Sequence, residues 1–543
     1  MCGIFYTFGT NHSDQELEKH GKLISHRGPD DMSILRNGKH YFMFHRLKIN
    51  DLTNAGNQPF NIGGCILICN GEIYNSSQLN QTYNFKTQST SDCETIIHMY
   101  RRFGIQWTVD NLDGVFAFVL YDTHSDKLFI GRDRIGVRSL YYGTNSNNNG
   151  HSFYVSSEMK SLHGICDNVF TFPPGSYGTL HNIIQNNTQP NLVINRYHHY
   201  DYPEMGVETN EEDLYSMIRY YLRSAVKKRL MSERPIGCFL SGGLDSSLIT
   251  ALVAEYYPPN KLETFAVGLK DSPDLIYARK VADHLGTKHH EIIVTEEDMI
   301  NAIPNVIYHI ESYDTTTVRA STPMYLMSKY VKENTDVTVV YSGEGSDEAS
   351  GSYLYFHNAP DEESFTQEAK RLVKDLNRYD VLRCDKTTAA HSLEVRVPFL
   401  DKEFMKFYMS IPGSFKKVRA MDNGKMMEKY ILRKAFDYEY KGKKILPDDI
   451  LWRTKEALSD GVSKVNRSWH EIINEYLNEK SLPDNVYTHN PYKHLDQQYF
   501  RQIFEEYYPN RGEIIPYYWL PKWSGDDNES SARNLNIYKK LDE

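Results

Sequence analysis

Hydrophobic and polar positions follow different patterns in the two halves of this 543-residue chain. Up to about residue 180, apolar residues form short runs bounded by Gly, Asn or Asp, as at Cys65–Cys69, Val115–Tyr121 and Leu128–Gly131. Runs of this length with turn residues at their ends predict β-strands. Helical periodicity is sparse here, so we expect a first domain over residues 1–200 with many strands.

The pattern changes after a polar, turn-rich segment at Tyr200–Asn210, which we interpret as a linker. Apolar residues in Glu211–Met231 recur at the spacing of an amphipathic helix. Strand and helix patterns then alternate, which predicts a parallel sheet covered by helices. The predicted strands are Ile236–Leu240, Leu262–Gly268 and Val337–Tyr341, and the predicted helices are Ser246–Tyr257 and Asp274–Leu285.

The remainder of the chain completes the second domain. Beyond about residue 360 the pattern is mainly helical, and we expect this domain to cover residues 211–523. Residues 524–543 are polar and predict a mobile tail.

Composition and charge exclude several classes of protein. The net charge is −10 and no basic stripe is present, which disfavours nucleic acid as the principal partner. No apolar run approaches the length of a membrane helix, so we expect no membrane partner. The N-terminus lacks the basic region of a signal peptide, so a cytoplasmic location is expected.

The seven cysteines give little sign of a disulfide framework or a zinc site, because their number is odd and no C-x-x-C pair occurs. Cys65 and Cys69 lie in an apolar run and are expected to be core thiols. Cys2 differs, because removal of Met1 makes it the terminal residue. Its free α-amine, with a reference pKa of about 7.7–8.0, can take the thiol proton without a histidine. The alternative is a small apolar residue at a chain start.

A glycine- and serine-rich turn, SGGLDSS, follows the strand Ile236–Leu240 and opens the next helix. Its glycines let the backbone approach an anion, and its serines and the helix N-terminus supply donors. Asp245 beside an anion site indicates a cation such as Mg²⁺ between carboxylate and phosphate. The turn lacks the G-K-[ST] of a Walker A loop. It resembles the pyrophosphatase-type loop of ATP-dependent adenylating enzymes, although SGG alone is also typical of an ordinary capped turn.

A second polar cluster, Ser342–Glu348, follows the predicted strand Val337–Tyr341. In an open parallel sheet both clusters lie at the carboxyl edge of the strands, where ligands bind. Glu344 is therefore a candidate base or positioning group, and Asp347 is a candidate Mg²⁺ ligand with Asp245. The alternative is an acidic surface turn.

The first half also contains groups suited to a thiolate-catalysed acyl transfer, which needs an oxyanion hole. Asn70-Gly71-Glu72 is expected to follow the strand Cys65–Cys69, and the Asn70 amide and the Gly71 N–H are suitable donors.

Other groups suit the charged ends of a free amino acid. Arg27 and Arg46 are expected in loops, where Arg46 suits an α-carboxylate, and Asp92 suits an α-ammonium. Taken singly, each of these residues is more often a turn residue or part of a surface ion pair.

In order along the chain, these motifs resemble two known families. The strings MCGI, HRGPD, NGEIYN, SDCE and GRDRIGVRSLYYG are similar to a class II glutamine amidotransferase domain of the N-terminal-nucleophile hydrolase type. The strings LSGGLDSS, FAVGL, RASTPMYL, SGEGSDE, LEVRVPFLD and RTKEALSDGV are similar to the synthetase domain of the asparagine synthetase B family. Each string alone is modest evidence, but the ordered set, from residue 1 to about 470, is specific.

The resemblance implies a fold and an activity for each half. The first domain is expected to be an α+β, N-terminal-nucleophile αββα sandwich that hydrolyses glutamine to glutamate and ammonia. The second is expected to be an α/β parallel-sheet domain of the ATP pyrophosphatase type. With ATP and Mg²⁺ it would convert aspartate to aspartyl-AMP and amidate it to asparagine, releasing AMP and pyrophosphate. The sequence leaves the oligomeric state open, with a homodimer as one candidate assembly.

The resemblance also implies residue roles. Cys2 is the expected nucleophile, and the expected glutamine-binding residues are Arg46, Asn70, Gly71, Glu72 and Asp92. The expected ATP-binding residues are Leu240, Ser241, Gly242, Gly243, Leu244, Asp245, Ser246, Ser247, Val267, Ser342 and Gly343. Asp245 and Asp347 would hold Mg²⁺, Glu344 would assist the attack of ammonia, and Lys455 would neutralise phosphate charge.

Two alternatives stay open: a related amidating enzyme acting on another carboxylate, and a catalytically retired homologue. β-Lactam synthetase-like proteins share the layout but lack the terminal cysteine, and the intact catalytic residues argue against retirement. The chain departs from the family pattern at Ser139, Ala349–Ser352, Met426–Met427 and a shortened loop near Pro258–Lys261. The changes after Glu348 bear on the expected aspartate pocket.

Overall fold

The computed structural model describes residues 1–145, 152–181, 191–206, 210–421, 424–455, 461–463, 467–483 and 486–524. The chain forms two compact units. The first contains Met1–His199 with the short segments Met231–Arg234 and Thr388–Glu394. The second contains Tyr200–Leu230, Pro235–Thr387 and the described residues from Val395 onward. Apart from Ser524, the predicted tail lies outside the described residues, as do residues 207–209 of the predicted linker.

The described part of the first unit contains two six-stranded antiparallel sheets. Its strands are β1 (Gly3–Phe8), β2 (Asp31–Asn37), β3 (His40–Arg46), β4 (Phe60–Ile62), β5 (Cys65–Ile73), β6 (Gly114–Asp122), β7 (Lys127–Arg132), β8 (Tyr141–Asn145), β9 (Ser152–Ser156), β10 (Asn168–Thr171), β11 (Ser176–His181) and β12 (Asn191–Arg196). The strand orders are β10-β8-β9-β1-β3-β2 and β12-β11-β7-β6-β5-β4. The three strands predicted from apolar runs are confirmed as parts of β5, β6 and β7.

Helices cover the outer faces of these sheets. They are α1 (Asp14–Gly21), α2 (Ser76–Tyr83), α3 (Thr95–Phe103) and α4 (Ile105–Asn111). Ile68 and Val119 belong to a core between the sheets, whereas Leu67 and Phe118 on the opposite faces pack in a second core with Ile97 of α3. Gly21 of α1 lies against Met43 and Phe5, on the free face of the first sheet. This layering is the predicted αββα sandwich.

Two local expectations for the first unit are wrong. Asn70 and Glu72 do not follow the strand, because β5 continues to Ile73 and pairs them with Ala117 and Val115 of β6. Arg27 and Arg46 are not in loops either. Arg27 ends a 3-10 helix, Lys22–Arg27, and Arg46 is the last residue of β3.

The second unit is built around a five-stranded sheet of order β15-β14-β13-β16-β17. Its strands are β13 (Ile236–Phe239), β14 (Glu263–Leu269), β15 (Lys288–Val294), β16 (Val339–Tyr341) and β17 (Glu394–Arg396). β13 pairs in parallel with β14 and β16, and β14 pairs in parallel with β15, which confirms the predicted parallel sheet. Two short ribbons follow: β18 (Arg419–Ala420) with β19 (Met426–Met427), and β20 (Glu439–Tyr440) with β21 (Lys443–Lys444).

The helices of this part of the chain are α5 (Glu211–Lys228), α6 (Leu244–Ala254), α7 (Pro273–Leu285), α8 (Glu296–Ile310), α9 (Thr315–Asn334), α10 (Ser346–Ser350), α11 (Glu362–Asp375), α12 (Asp380–Ala389), α13 (Lys402–Ser410), α14 (Gly413–Lys416), α15 (Tyr430–Phe436), α16 (Asp448–Leu451), α17 (Trp469–Asn478) and α18 (Leu495–Tyr507). The predicted helices correspond to α5, α6 and α7, with ends that differ by a few residues. None of the helices in the described ranges combines the length and apolar composition that a bilayer crossing requires. All seven cysteines carry free thiols, and Cys65 and Cys69 lie in the apolar core as predicted.

Candidate active sites

A cavity of about 220 Å³ lies in the second unit, where the segments after β13 and β16 meet. Most residues that the sequence predicted for ATP, metal and catalysis line this cavity. They are Leu240, Ser241, Gly243, Leu244, Asp245, Ser246, Val267, Ser342, Gly343, Glu344, Asp347 and Lys455. Gly242 and Ser247 are absent from the lining residues.

The turn before α6 depends on one glycine. Gly242 has φ +72°, and a Cβ there would lie 2.5 Å from the backbone nitrogen of Ala278 in α7. Ser241 and Ser246 close the turn through a hydroxyl–hydroxyl hydrogen bond of 3.0 Å. The turn therefore places its backbone and the N-terminus of α6 at the cavity, an arrangement that binds anions such as phosphates.

The second cluster packs directly against this turn. A Cβ on Gly343 would lie 2.8 Å from the backbone nitrogen of Ser246, so only glycine allows this approach. Ser346 donates to Asp245 Oδ1 at 2.8 Å, which joins the two clusters. The side chains of Asp245 and Asp347 consequently reach one cation.

That cation is Lys429. Its Nζ lies 2.5 Å from Asp245 Oδ2 and 2.6 Å from Asp347 Oδ1, and the Lys429 side chain is 2% exposed. Lys455 Nζ lies 2.6 Å from Asp347 Oδ2. Burial raises the pKa of Asp347, but Lys429 and Lys455 outweigh it and hold that pKa well below its usual range. Asp347 is thus ionised in the folded protein.

These carboxylates fit Mg²⁺ in one of two ways. Carboxylate oxygens are ligands that Mg²⁺ prefers. In the first way, Mg²⁺ would be held by one of the two carboxylates and by substrate phosphates, which fits the donor set. A Mg²⁺ clamped between Asp245 and Asp347, as the sequence predicted, requires Lys429 to leave its position. The described residues contain no cluster of three or more His, Cys, Asp or Glu side chains suited to a metal.

Glu344 lies in the same cavity beside an arginine that the sequence did not indicate. Arg383 donates to Glu344 Oε2 at 2.8 Å and lies 3.0 Å from Asp380 Oδ1, one turn earlier on α12. Burial raises the pKa of Glu344 to about 6, with Arg383 opposing the shift and Asp380 adding to it. A carboxylate with this pKa can accept a proton near neutral pH.

The cavity has further lining residues that sequence reasoning missed, namely Tyr353, Asp380, Arg383, Lys429 and Trp519. None of them lies in a glycine-rich turn after a strand, the sequence pattern that predicted the phosphate-side residues of the cavity. Only their proximity in the folded chain connects them to the site.

In the first unit, Cys2 immediately precedes β1 and packs against the core between the sheets. Its sulfur accepts a hydrogen bond from the Leu47 backbone N–H at 3.5 Å, and Arg27 Nε donates to the Cys2 carbonyl at 3.0 Å. Arg27 is held by the buried Glu158 at 2.7 Å. Burial raises the pKa of the Cys2 thiol to about 11.

Met1 precedes the candidate nucleophile and is itself 1% exposed. Its ammonium donates to the Leu393 carbonyl at 3.4 Å, and burial lowers the pKa of this amine to about 5. While Met1 is present, the nitrogen of Cys2 is an amide and cannot take the thiol proton.

The Asn70 side chain has the features of an oxyanion donor. It is 1% exposed, and among the described residues neither its Nδ2 nor its Oδ1 has a hydrogen-bond partner. A buried amide without partners costs about 1–3 kcal/mol, so a ligand that supplies a partner recovers this free energy. The next residue must be glycine, since a Cβ on Gly71 would lie 2.2 Å from the Val115 carbonyl oxygen.

The predicted ligands for the ends of glutamine already contact protein groups. Arg46 donates to the Thr53 carbonyl at 2.7 Å and to Asn57 Oδ1 at 2.5 Å. Glu72 Oε2 accepts from Asn50 Nδ2, and Asp92 Oδ2 accepts from the Ile73 N–H, each at 2.5 Å. These contacts fix the side chains in place, and their roles toward glutamine stay predictions.

Comparison with known proteins covers both units. The Glutamine amidotransferase domain family model matches residues 1–197, and the Asparagine synthase family model matches residues 217–371 and 358–514.

Curated relatives match over nearly their whole length. The asparagine synthetase [glutamine-hydrolyzing] of Gallus gallus is 41% identical over 571 residues, with 99% of each chain covered. The proteins of the same name from Homo sapiens and Cricetulus griseus are 41% and 42% identical over 576 residues, again with 99% of each chain covered. Because both family models match in order and these relatives match from end to end, the chain belongs to the glutamine-hydrolysing asparagine synthetases.

Proposed function

We propose that this protein makes asparagine from aspartate, glutamine and ATP. The observation that carries the proposal is the meeting of the two polar clusters, Ser241–Ser247 and Ser342–Glu348, with Lys455 in one cavity. Family membership supplies the identity of the three substrates. The first unit supports the proposal with a cysteine after Met1 and a buried, unpartnered amide on Asn70.

In the first unit, the Cys2 thiolate would attack the side-chain carbonyl carbon of glutamine. The α-amine, freed by removal of Met1, would take the thiol proton and return it to the departing ammonia. The Asn70 amide would donate to the oxyanion of the tetrahedral intermediate, with the Gly71 N–H as the second proposed donor. Water would then release glutamate from the thioester and restore the thiol. Arg46, Glu72 and Asp92 are the proposed ligands for the ends of glutamine.

In the second unit, an oxygen of the aspartate β-carboxylate would attack the α-phosphorus of ATP and displace pyrophosphate. The turn Ser241–Ser247 would hold the leaving phosphates, and Lys455 and Lys429 would balance their charge. Asp245 or Asp347 would hold Mg²⁺, which supplies further positive charge at phosphate oxygens. Leu240 and Val267 would contact the nucleoside.

Ammonia would then attack the β-carbonyl carbon of aspartyl-AMP, with AMP as the leaving group. The attacking nitrogen must lose a proton, and Glu344 is the proposed acceptor, since its pKa of about 6 leaves it ionised at neutral pH. Arg383 would orient Glu344 through their 2.8 Å hydrogen bond.

The departures from the family pattern at Ala349–Ser352 do not argue for another acceptor acid. Ser352 donates to Asp347 Oδ1 at 2.6 Å, and the Ser350 hydroxyl lies 3.1 Å from the Tyr408 hydroxyl. Ala349, Ser350, Gly351 and Ser352 are all buried, and none of them lines the cavity. Ser352 thereby braces Asp347, and the four residues leave the proposed aspartate pocket to other parts of the chain. A homodimer and a cytoplasmic location stay predictions.

The test is product analysis with purified protein, ATP, Mg²⁺ and either glutamine or ammonium. We expect asparagine, AMP and pyrophosphate with aspartate as acceptor, and none of these products with glutamate or citrulline. Formation of ADP and phosphate would contradict the proposed chemistry of the second unit. Formation of AMP with another acid but not with aspartate would keep the adenylating chemistry and reject aspartate as the acceptor.

A further inference from the structure

The C-terminal part of the second unit reaches the cavity through residues that no family model covers. We call residues 515–524 the C-terminal strap. Trp519 and Pro521 of this strap line the cavity, whereas the Asparagine synthase match ends at residue 514. Trp519 is 6% exposed, so its indole is enclosed by the site and by the strap.

Three of the hydrogen bonds that fix the strap beside the cavity are made by its backbone at Trp519 and Tyr517. The Trp519 N–H donates to Asp314 Oδ2 at 2.7 Å, and the Thr316 hydroxyl donates to the Trp519 carbonyl at 3.4 Å. The Tyr379 hydroxyl donates to the Tyr517 carbonyl at 2.7 Å. Two of these partners stand at the N-terminus of α9, and Tyr379 immediately precedes α12, which carries Arg383. The position of Trp519 is therefore set by elements that also build the site.

The indole of Trp519 packs against two rings, those of Tyr353 and Tyr355. Of these two, the Tyr353 ring is the one beside Lys455. The rings of Trp519 and Tyr353 have centroids 5.3 Å apart and planes at 61°, an edge-to-face arrangement. Lys455 Nζ lies 5.3 Å from the centroid of the Tyr353 ring. The Tyr353 hydroxyl donates to Glu348 Oε1 at 2.6 Å, and this bond fixes the other end of the ring.

We propose that Trp519 is a positioning residue of the synthetase site, which holds the Tyr353 ring against Lys455. Lys455 has a long side chain and lies beside Asp347, where the proposed reaction builds charge on phosphate oxygens. An ammonium over an aromatic face is attracted to that face and has fewer places to move. Removal of the indole frees the Tyr353 ring to shift, and Lys455 then loses the surface that keeps its ammonium in place. This inference rests on the proposed function of the second unit.

The first experiment compares two tryptophans of the same strap. Trp523 packs on Tyr355 and Phe356 with centroids 6.1 and 5.9 Å away. Tyr355 lines the cavity but Trp523 does not, so Trp523→Ala is the control for loss of an indole from the same strap. We expect Trp519→Ala to lower aspartate-dependent exchange of pyrophosphate with ATP by about 3- to 10-fold, as loss of one aromatic pair implies. Trp523→Ala should keep the wild-type rate, and both variants should keep wild-type glutaminase activity.

A second set of variants separates positioning from folding. Trp519→Phe keeps a ring and should recover most of the exchange rate. Tyr353→Leu removes the ring over Lys455 and should lose at least as much rate as Trp519→Ala, and the double variant should lose less than the product of the single losses. If Trp519→Ala does not fold, Tyr353→Leu against Tyr353→Phe gives the same comparison.

Equal exchange rates for wild type, Trp519→Ala and Trp523→Ala would overturn the positioning role, and so would multiplicative losses in the double variant. Failure of the proposed function is a different result, because wild-type protein would then show no aspartate-dependent exchange at all.

Discussion

Lys429 occupies a backbone conformation that a lysine rarely adopts. Its φ is +56°, immediately before α15, and residues other than glycine pay about 1–3 kcal/mol for this region. The conformation directs a buried ammonium to Asp245 and Asp347. Without this cation the two carboxylates would repel each other, and Lys455 would be left to offset the charge of Asp347. We therefore expect Lys429 to keep the phosphate side of the cavity assembled.

Substitution of this lysine tests that role. Lys429→Met keeps most of the side-chain volume but removes the charge. We expect production of AMP and pyrophosphate to fall by about 10²-fold, because a charged group at the reacting phosphates is lost. Lys406→Met, at an exposed lysine, is the control and should leave the rate unchanged. A wild-type rate of pyrophosphate exchange in Lys429→Met would rule the role out.

We expect Glu344 to give the synthetase step a pH dependence. Burial raises its pKa to about 6, so Glu344 is ionised above this pH and protonated below it. A base must be ionised to take a proton, and we expect the rate of ammonia-dependent asparagine synthesis to fall as pH drops through about 6. The rate is to be measured per concentration of neutral ammonia, so that protonation of the substrate does not imitate the effect.

The control for this profile is Glu344→Gln, which removes the titrating group. Its rate should be low, and the change near pH 6 should disappear. An unchanged acid limb in Glu344→Gln would assign the titration to another residue.

At the scale of elements, the turns after β13 and β16 were the parts of the site most open to prediction. They bear glycines and serines in a short stretch, which suit a backbone that approaches an anion, and acids that suit a cation bound beside it. Arg383 and Lys429 had no such pattern. Each lies in a helix or at its start, where arginine and lysine are usual, and only folding brings them beside Glu344 and Asp347.

In strand β5 the sequence pattern was misleading in a different way, because it predicted that the strand ends at Cys69, whereas the strand continues to Ile73. Asn70 reads as a turn residue, because asparagine and glycine commonly end strands. In the structure Asn70 and Gly71 stay in the strand, where Gly71 makes room for the Val115 carbonyl oxygen. Asn70 thus lies in the sheet although its strand propensity is low, a conflict that the proposed oxyanion role would explain.

A pair of glycines tests the turn before α6. Gly242 and Gly286 both have φ near +70°. A Cβ on Gly242 would lie 2.5 Å from the backbone nitrogen of Ala278, whereas a Cβ on Gly286 would have no neighbouring atom within 4 Å. Both Gly→Ala changes should cost about 1–2 kcal/mol of unfolding free energy from the backbone conformation. Only Gly242→Ala should also displace the turn and remove most pyrophosphate exchange. Thermal unfolding and exchange rates would be measured together, and equal exchange in both variants would contradict the steric argument.

At the scale of the whole molecule, the chain contains two units, and each performs one half of the proposed reaction. The first has its own two apolar cores, and the second has its own parallel sheet and cavity. The order of motifs predicts a division into two domains, over residues 1–200 and 211–523. Its boundaries were harder to predict, because Met231–Arg234 and Thr388–Glu394 belong to the first unit although they are remote from it in sequence.

This division predicts separable activities. Cys2→Ala should abolish glutamine hydrolysis and glutamine-dependent synthesis, because no thiolate remains to form the thioester. Synthesis from ammonium should stay within about twofold of wild type, since no residue of the cavity is altered. Cys166→Ala, at a buried cysteine remote in sequence from the proposed nucleophile, is the control for general loss of folding. Parallel loss of both activities in Cys2→Ala would reject two independent sites.

The burial of Met1 has a consequence for the order of events during synthesis of the chain. A side chain that is 1% exposed, with its amine held by the Leu393 carbonyl, is inaccessible to an aminopeptidase. We therefore expect Met1 to be removed before the first unit folds, and a molecule that folds with Met1 in place to lack glutaminase activity. In a mixed preparation, glutaminase activity should scale with the trimmed fraction seen by intact mass, while synthesis from ammonium should be independent of it.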